Sequence, residues 1–142
     1  MTKVDFYLLG AADSESRERT ACRITEKAWR LGHRVYVLVP DQSAALEFDE
    51  LLWTFSQGSF VPHGVLADDN DAATHPVLIG HAEPPVALND VLVSLVQNVP
   101  PWFSRFARVA ELVGAADDDK TRARERFRYY RERGYPLDTH SL

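Results

Sequence analysis

Seven lysines and arginines fall within the fourteen residues Lys120–Arg133, against two glutamates, giving a local charge of +5 in a chain whose formal charge is −5. The other 128 residues therefore carry about −10. At 100° per residue, Lys120, Arg124 and Arg131 lie within about 40° of one another, with Phe127 and Arg128 at the borders. Ala123, Phe127 and Tyr130 form the inward side. A cationic stripe edged by an aromatic ring suits an anionic ligand: an acidic peptide, a phosphate or single-stranded nucleic acid. The plainer alternative is a solvated helix face held by local pairs such as Arg128 with Glu132, which contribute little. Most of these arginines have no such partner nearby in sequence.

A second group, Trp53, Phe55, Phe60, Val61 and Pro62, gathers aromatic and apolar residues where a helix runs into a loop. Large aromatics in such places anchor partners or close the edge of a core. Pro100, Pro101, Trp102 and Phe103 read as a core lid. Catalytic chemistry finds less support. After the first apolar run the chain reads Gly10, Ala11, Ala12, Asp13, which is neither a dinucleotide fingerprint nor a phosphate loop, and Asp13 would repel a pyrophosphate. His33, His63, His75, His81 and His140 are scattered over loop and strand-edge positions, and with the lone Cys22 they make no familiar zinc spacing. Ser59 with His63 and a distant aspartate lacks a nucleophile elbow. We therefore expect no enzyme activity, no metal and no cofactor.

The elements that must position these residues follow from pattern and punctuation. Val4–Leu9 reads as a buried strand, followed by turn residues Gly10–Ser16 and a helix in which Ala21, Ile24, Ala28 and Leu31 share a face, ended by Gly32. Arg34–Val39 is β-branched and stops at Pro40. Asp41 caps a further helix with Ala45, Phe48 and Leu52 inward and Leu46 and Trp53 on its flanks. Thr54–Pro76 reads as a long surface loop with an acidic cluster, Asp68, Asp69 and Asp71. Pro76–Gly80, Val91–Val96 and Arg108–Val113 are further strands, with a short helix over Pro100–Ala107. Asp117, Asp118 and Asp119 open a last helix and Arg131 and Arg133 close it before Gly134, as the helix dipole favours. The βαβα order implies an α/β fold: one three-layer domain over residues 1–142, with a mostly parallel sheet of about five strands between helices.

Composition agrees: 45% hydrophobic and 26% charged residues over 142 positions suit one packed core. No apolar run reaches the roughly 20 residues of a membrane span. The start lacks the signature of a signal peptide and the single cysteine cannot form an internal disulfide, so the cytoplasm is the expected compartment.

Four blocks, FYLLG at Phe6–Gly10, A-W-R-x-G-x-R-V at Ala28–Val35, D-E-L-L-W then S-F-V-P-H between Asp49 and His63, and A-R-E-R-F-R-Y-Y-R-E-R-G at Ala123–Gly134, occur in order along the chain. Together they resemble the chi subunit family of bacterial DNA polymerase III holoenzyme from end to end. The resemblance implies a mononucleotide-binding-like sheet that binds no nucleotide, and a non-catalytic adaptor associated with the clamp loader. It implies pairing with the psi subunit through Trp53 and Phe60, with Pro62 and His63 nearby. It also implies binding of the acidic C-terminal tail of single-stranded-DNA-binding protein through Lys120, Arg124, Phe127, Arg128 and Arg131, with Val113 and Tyr135 as apolar wall. DNA would then be reached indirectly. One member of that family has tyrosine in place of Phe127 and lysine in place of Arg128. Direct binding of single-stranded nucleic acid is the alternative reading, and it would have to overcome the −10 carried outside the basic segment.

Overall fold

Lys3–Leu8 forms β1, and side chains along it and at the next residue alternate between two apolar faces: Val4 and Phe6 point one way, Tyr7 and Leu9 the other. The computed structural model describes residues 1–10, 14–66 and 75–142. The chain continues through α1 (Ser14–Arg30), β2 (Val35–Leu38), α2 (Gln42–Thr54), β3 (His63–Val65), β4 (Val77–Gly80) and β5 (Val91–Ser94). A turn of 3-10 helix at Phe103–Arg105 precedes β6 (Arg108–Val113), α3 (Asp117–Glu132) and β7 (Leu137–Ser141).

The seven strands make one sheet in the order β3-β4-β2-β5-β6-β1-β7, and every pairing is parallel. Strands β2, β4 and β5 are buried along their whole length, which is why they read as unbroken apolar runs rather than as alternation. Helices α1 and α2 cover one face, where Ala21, Cys22, Ala45, Phe48 and Leu52 pack on Val37, Ile79 and Val93. Helix α3 and the 3-10 turn cover the other, where Ala123, Tyr130, Phe103 and Phe106 pack on Phe6, Leu92 and Val109. The result is the expected three-layer α/β arrangement.

The punctuation acts as anticipated. The Asp41 carboxylate accepts from the Ala44 N–H at 2.8 Å and caps α2. Gly32 and Gly134 follow α1 and α3 with φ of 91° and 79°, the left-handed region glycine enters at least cost.

Two expectations are corrected. The sheet has seven strands rather than about five, because Thr54–Pro76 is not all loop: it contains β3, and β7 forms beyond α3. Both added strands lie at sheet edges. Leu31 does not share the buried face of α1: the helix ends at Arg30 and Leu31 is 68% exposed. The acidic cluster Asp68, Asp69 and Asp71 lies outside the described residues.

Candidate functional site at the carboxyl ends of β1 and β6

The rotation of α3 about its axis is set by two polar side chains that point inward. Arg126 is 5% exposed and its Nε donates to Glu111 Oε1 at 3.0 Å, while Nη1 donates to the Gln97 carbonyl at 3.1 Å. Tyr130 is fully buried and its hydroxyl donates to Glu111 Oε2 at 2.7 Å. Glu111 itself is fully buried on β6. Burial pushes its carboxyl up, opposed by the Arg126 charge and the Tyr130 hydrogen bond, and burial together with the Glu111 carboxylate pushes the Tyr130 phenol up as well. Arg126 thus belongs to the core and is not part of the solvent-facing stripe.

With Arg126 and Tyr130 fixed inward, Lys120, Arg124, Arg128 and Arg131 are exposed and Phe127 is half-buried at the border. Among the described residues none of these four cations has an ion-pair partner. The Phe127 ring meets Phe6 edge-on, with centroids 5.4 Å apart. Beside it opens a cavity of about 330 Å³. Phe6, Leu8 and Leu9 of the first strand and its end form the floor, and Val113 and Gly114 close the end of β6. Ala123, Phe127, Lys120 and Arg124 make the α3 wall and Thr139 of β7 the remaining side.

This location follows from topology. From β1 the chain crosses to α1 on one face, and from its neighbour β6 it crosses to α3 on the other, so a crevice opens between their carboxyl ends, where open parallel sheets place ligands. An apolar hollow rimmed by two unpaired cations can take an apolar terminal side chain together with its carboxylate.

Of the tail-site residues expected from sequence, the structure brings Lys120, Arg124, Phe127 and Val113 to this one cavity. Arg128 and Arg131 continue along the exposed face of α3 without lining it. Tyr135 is not brought there: its ring packs edge-on against Phe103 at 5.0 Å and Tyr130 at 6.5 Å. Sequence reasoning missed Phe6, Leu8, Leu9 and Thr139, which reach the cavity only because β1 pairs with both β6 and β7.

The second aromatic group divides in two. Phe55 and Val61 are core, whereas Trp53 is 43% and Phe60 62% exposed, their ring centroids 5.4 Å apart. Pro62 is half-buried beside them. The His63 side chain is buried, 4.3 Å from the Trp53 ring, with Nδ1 2.6 Å from the Val61 carbonyl and Nε2 3.1 Å from that of Asp49. His63 therefore holds the corner that presents Trp53 and Phe60 rather than offering a surface of its own. Ser59 donates to the Glu26 carboxylate, so Ser59 and His63 do not form a nucleophile and base. Among the described residues there is no cluster of three or more metal-ligating side chains, and no helix is long and apolar enough to cross a membrane. The Pro100–Phe103 segment is a core lid, with Phe103 3% exposed.

The fold resembles a solved structure titled "The crystal structure of T4 UvsW", with a TM-score of 0.71 and 9% sequence identity, over 99% of this chain and 41% of that one. At that identity the likeness concerns the fold alone, and this chain spans less than half of that protein's length. The sequence relatives are closer and full-length. A DNA polymerase III subunit chi from Pseudomonas aeruginosa is 43% identical over 142 residues, covering 100% of this chain and 98% of the relative. That of Escherichia coli is 34% identical, covering 98% and 97%, and that of Haemophilus influenzae 29% identical, covering 96% and 95%. The family model described as DNA polymerase III chi subunit, HolC, matches residues 1–138. With that match over nearly its whole length, the chain belongs to the DNA polymerase III chi subunit family, accessory subunits of DNA replication.

Proposed function

We propose that the chain is a non-catalytic adaptor of the clamp-loader-associated part of the polymerase, a single domain over residues 1–142 working in the cytoplasm. It binds the acidic C-terminal tail of single-stranded-DNA-binding protein with one surface and the psi subunit with another. The observation that carries the reading is the apolar cavity beside α3 with Lys120 and Arg124 at its rim. A tail ending in an apolar residue places that side chain between Phe6, Val113 and Phe127, its terminal carboxylate on Arg124, and its preceding acids on Lys120 or along Arg128 and Arg131. The rest of the chain is acidic, which disfavours loose attachment to DNA itself.

Each charge-assisted hydrogen bond contributes about 1.5–3 kcal/mol before the ordering of a disordered tail is subtracted. Affinity is therefore modest and salt-sensitive, which suits hand-off along a strand coated with many tails. Arg124→Ala should weaken a tail peptide by about 10- to 150-fold. Its thermal unfolding should hardly move, since Arg124 is exposed and has no ion-pair partner among the described residues. Calorimetric titration giving undiminished affinity would remove Arg124 from the site.

Trp53, Phe60 and Pro62, held up by His63, form the psi surface. Phe60 is mostly exposed and, among the described residues, its one ring contact is the tilted one with Trp53, so Phe60→Ala should leave the fold intact. Gel filtration of that variant with psi should show the complex lost, with tail-peptide affinity unchanged. A retained complex would assign these rings to capping the corner at Val61.

A further inference from the structure

On the face opposite α3, α1 and the β1–β7 edge enclose a second cleft. Two hollows of about 580 and 290 Å³ lie side by side, both lined by Tyr7, Ile24 and Lys27. Arg23 and Lys27 stand along it one helical turn apart, about 6 Å of rise, both exposed. Among the described residues neither has an ion-pair partner. Across from them Tyr7 and His140 stack face to face, centroids 4.7 Å apart and planes 17° from parallel. Farther along lie His33 and Arg108.

Among the described residues the one acidic side chain in the cleft wall, Asp5, is already matched. Asp5 receives Arg108 at 2.6 Å, His140 at 3.0 Å and Lys3 at 3.4 Å. Burial pushes its carboxyl up, yet the hydrogen bonds from His140 and Arg108 outweigh this and hold it below the usual carboxylate range. Asp138 at the margin is bound by Lys3 at 2.7 Å. The described side chains of the cleft therefore carry net positive charge within an acidic chain.

We infer that this cleft is a weak, secondary contact for single-stranded DNA, with Arg23 and Lys27 taking successive phosphates and the Tyr7–His140 stack receiving a base. Ring faces beside in-line cations are what single strands use, a base stacking on the ring while its flanking phosphates are neutralised. Leu9 lines both this cleft and the cavity beside α3, so the two sites adjoin just beyond the carboxyl end of β1. A tail held on one face leaves the chain poised to touch, on the other, a stretch of the strand from which that tail hangs. The inference rests on its own residues and stands whether or not the α3 cavity takes a tail.

With two phosphates neutralised, log affinity falls with log salt at a slope near −1.4, so raising salt from about 20 to about 150 mM weakens binding about 15-fold. Fluorescence anisotropy with a labelled oligodeoxythymidylate should thus show binding at low salt that disappears at physiological salt. Arg23→Glu/Lys27→Glu should lose the low-salt binding at least tenfold while keeping tail-peptide affinity and the native circular-dichroism spectrum, and Arg124→Ala should keep the low-salt binding. No binding by the unaltered chain at low salt overturns the inference, as does a charge-reversed variant that binds normally. Loss in Arg124→Ala would put the strand on α3 instead, and loss of tail-peptide affinity on reversing Arg23 and Lys27 would make the cleft a peptide site.

Discussion

Glu111→Ala should cost about 3–5 kcal/mol of stability, because it strands the Arg126 guanidinium in the core without its anion. Glu111 has no exposed surface and Arg126 only 5%, and the pair is tied at 3.0 Å. A water that fills the space left restores a hydrogen bond but not the lost charge. The loss also orphans the Tyr130 hydroxyl, which reaches Glu111 at 2.7 Å. Removing all three polar groups together should be far milder: Glu111→Leu, Arg126→Met and Tyr130→Phe leave only the Gln97 carbonyl, now bonded to Arg126 at 3.1 Å, to find a new donor. Urea unfolding should show the single variant with a sharply lower midpoint and the triple variant well above it. A single variant as stable as the triple one would mean that the pair is not buried as described.

Phe6→Ala should be nearly as damaging, at about 3–5 kcal/mol, and it carries a functional signature that Glu111 does not. Phe6 is 2% exposed and stands edge-on to Phe127 at 5.4 Å and to Tyr130 at 6.0 Å. It is also the floor of the cavity beside α3. Truncation enlarges that hollow and removes the support of Phe127, so an apolar terminal side chain loses its fit while Lys120 and Arg124 keep their charge. Tail-peptide affinity should fall even below the unfolding temperature, with its salt dependence unchanged. Phe6→Leu restores most of the volume and should recover most of the stability. Thermal unfolding and calorimetric titration on the same samples separate the two effects, and unchanged peptide affinity in a folded Phe6→Ala variant would exclude the cavity floor from binding.

The strands at the centre of the sheet were legible because burial on both faces writes itself as apolar, β-branched runs, and Asp41, Gly32 and Gly134 marked helix ends by capping chemistry and left-handed backbone. The edge strands were not. β7 reads LDTHS with four of its five residues exposed, and β3 is three residues long, so neither carries the periodicity that burial would impose. Helical spacing put Lys120 and Arg124 in one stripe with Phe127 at its border, and these three line the cavity together. The role of Arg126 was hidden because its partner Glu111 lies fifteen positions away on a strand, and helix spacing says nothing about what a neighbouring strand presents. A glutamate inside the apolar run Val109–Val113 was the one available hint. The cavity floor depended on strand order, which local pattern does not encode.

The most direct test of the adaptor reading is anisotropy at physiological salt with a labelled single strand in three states: bare, coated with intact single-stranded-DNA-binding protein, and coated with that protein lacking its acidic tail. The short basic helix sits in a chain of net charge −5, and among the described residues the secondary cleft adds two cations without an ion-pair partner. The account predicts no appreciable binding to the bare strand, clear binding to the coated strand, and loss of the signal when the tail is removed. Equal binding to bare and coated strands, or binding that survives removal of the tail, would contradict it.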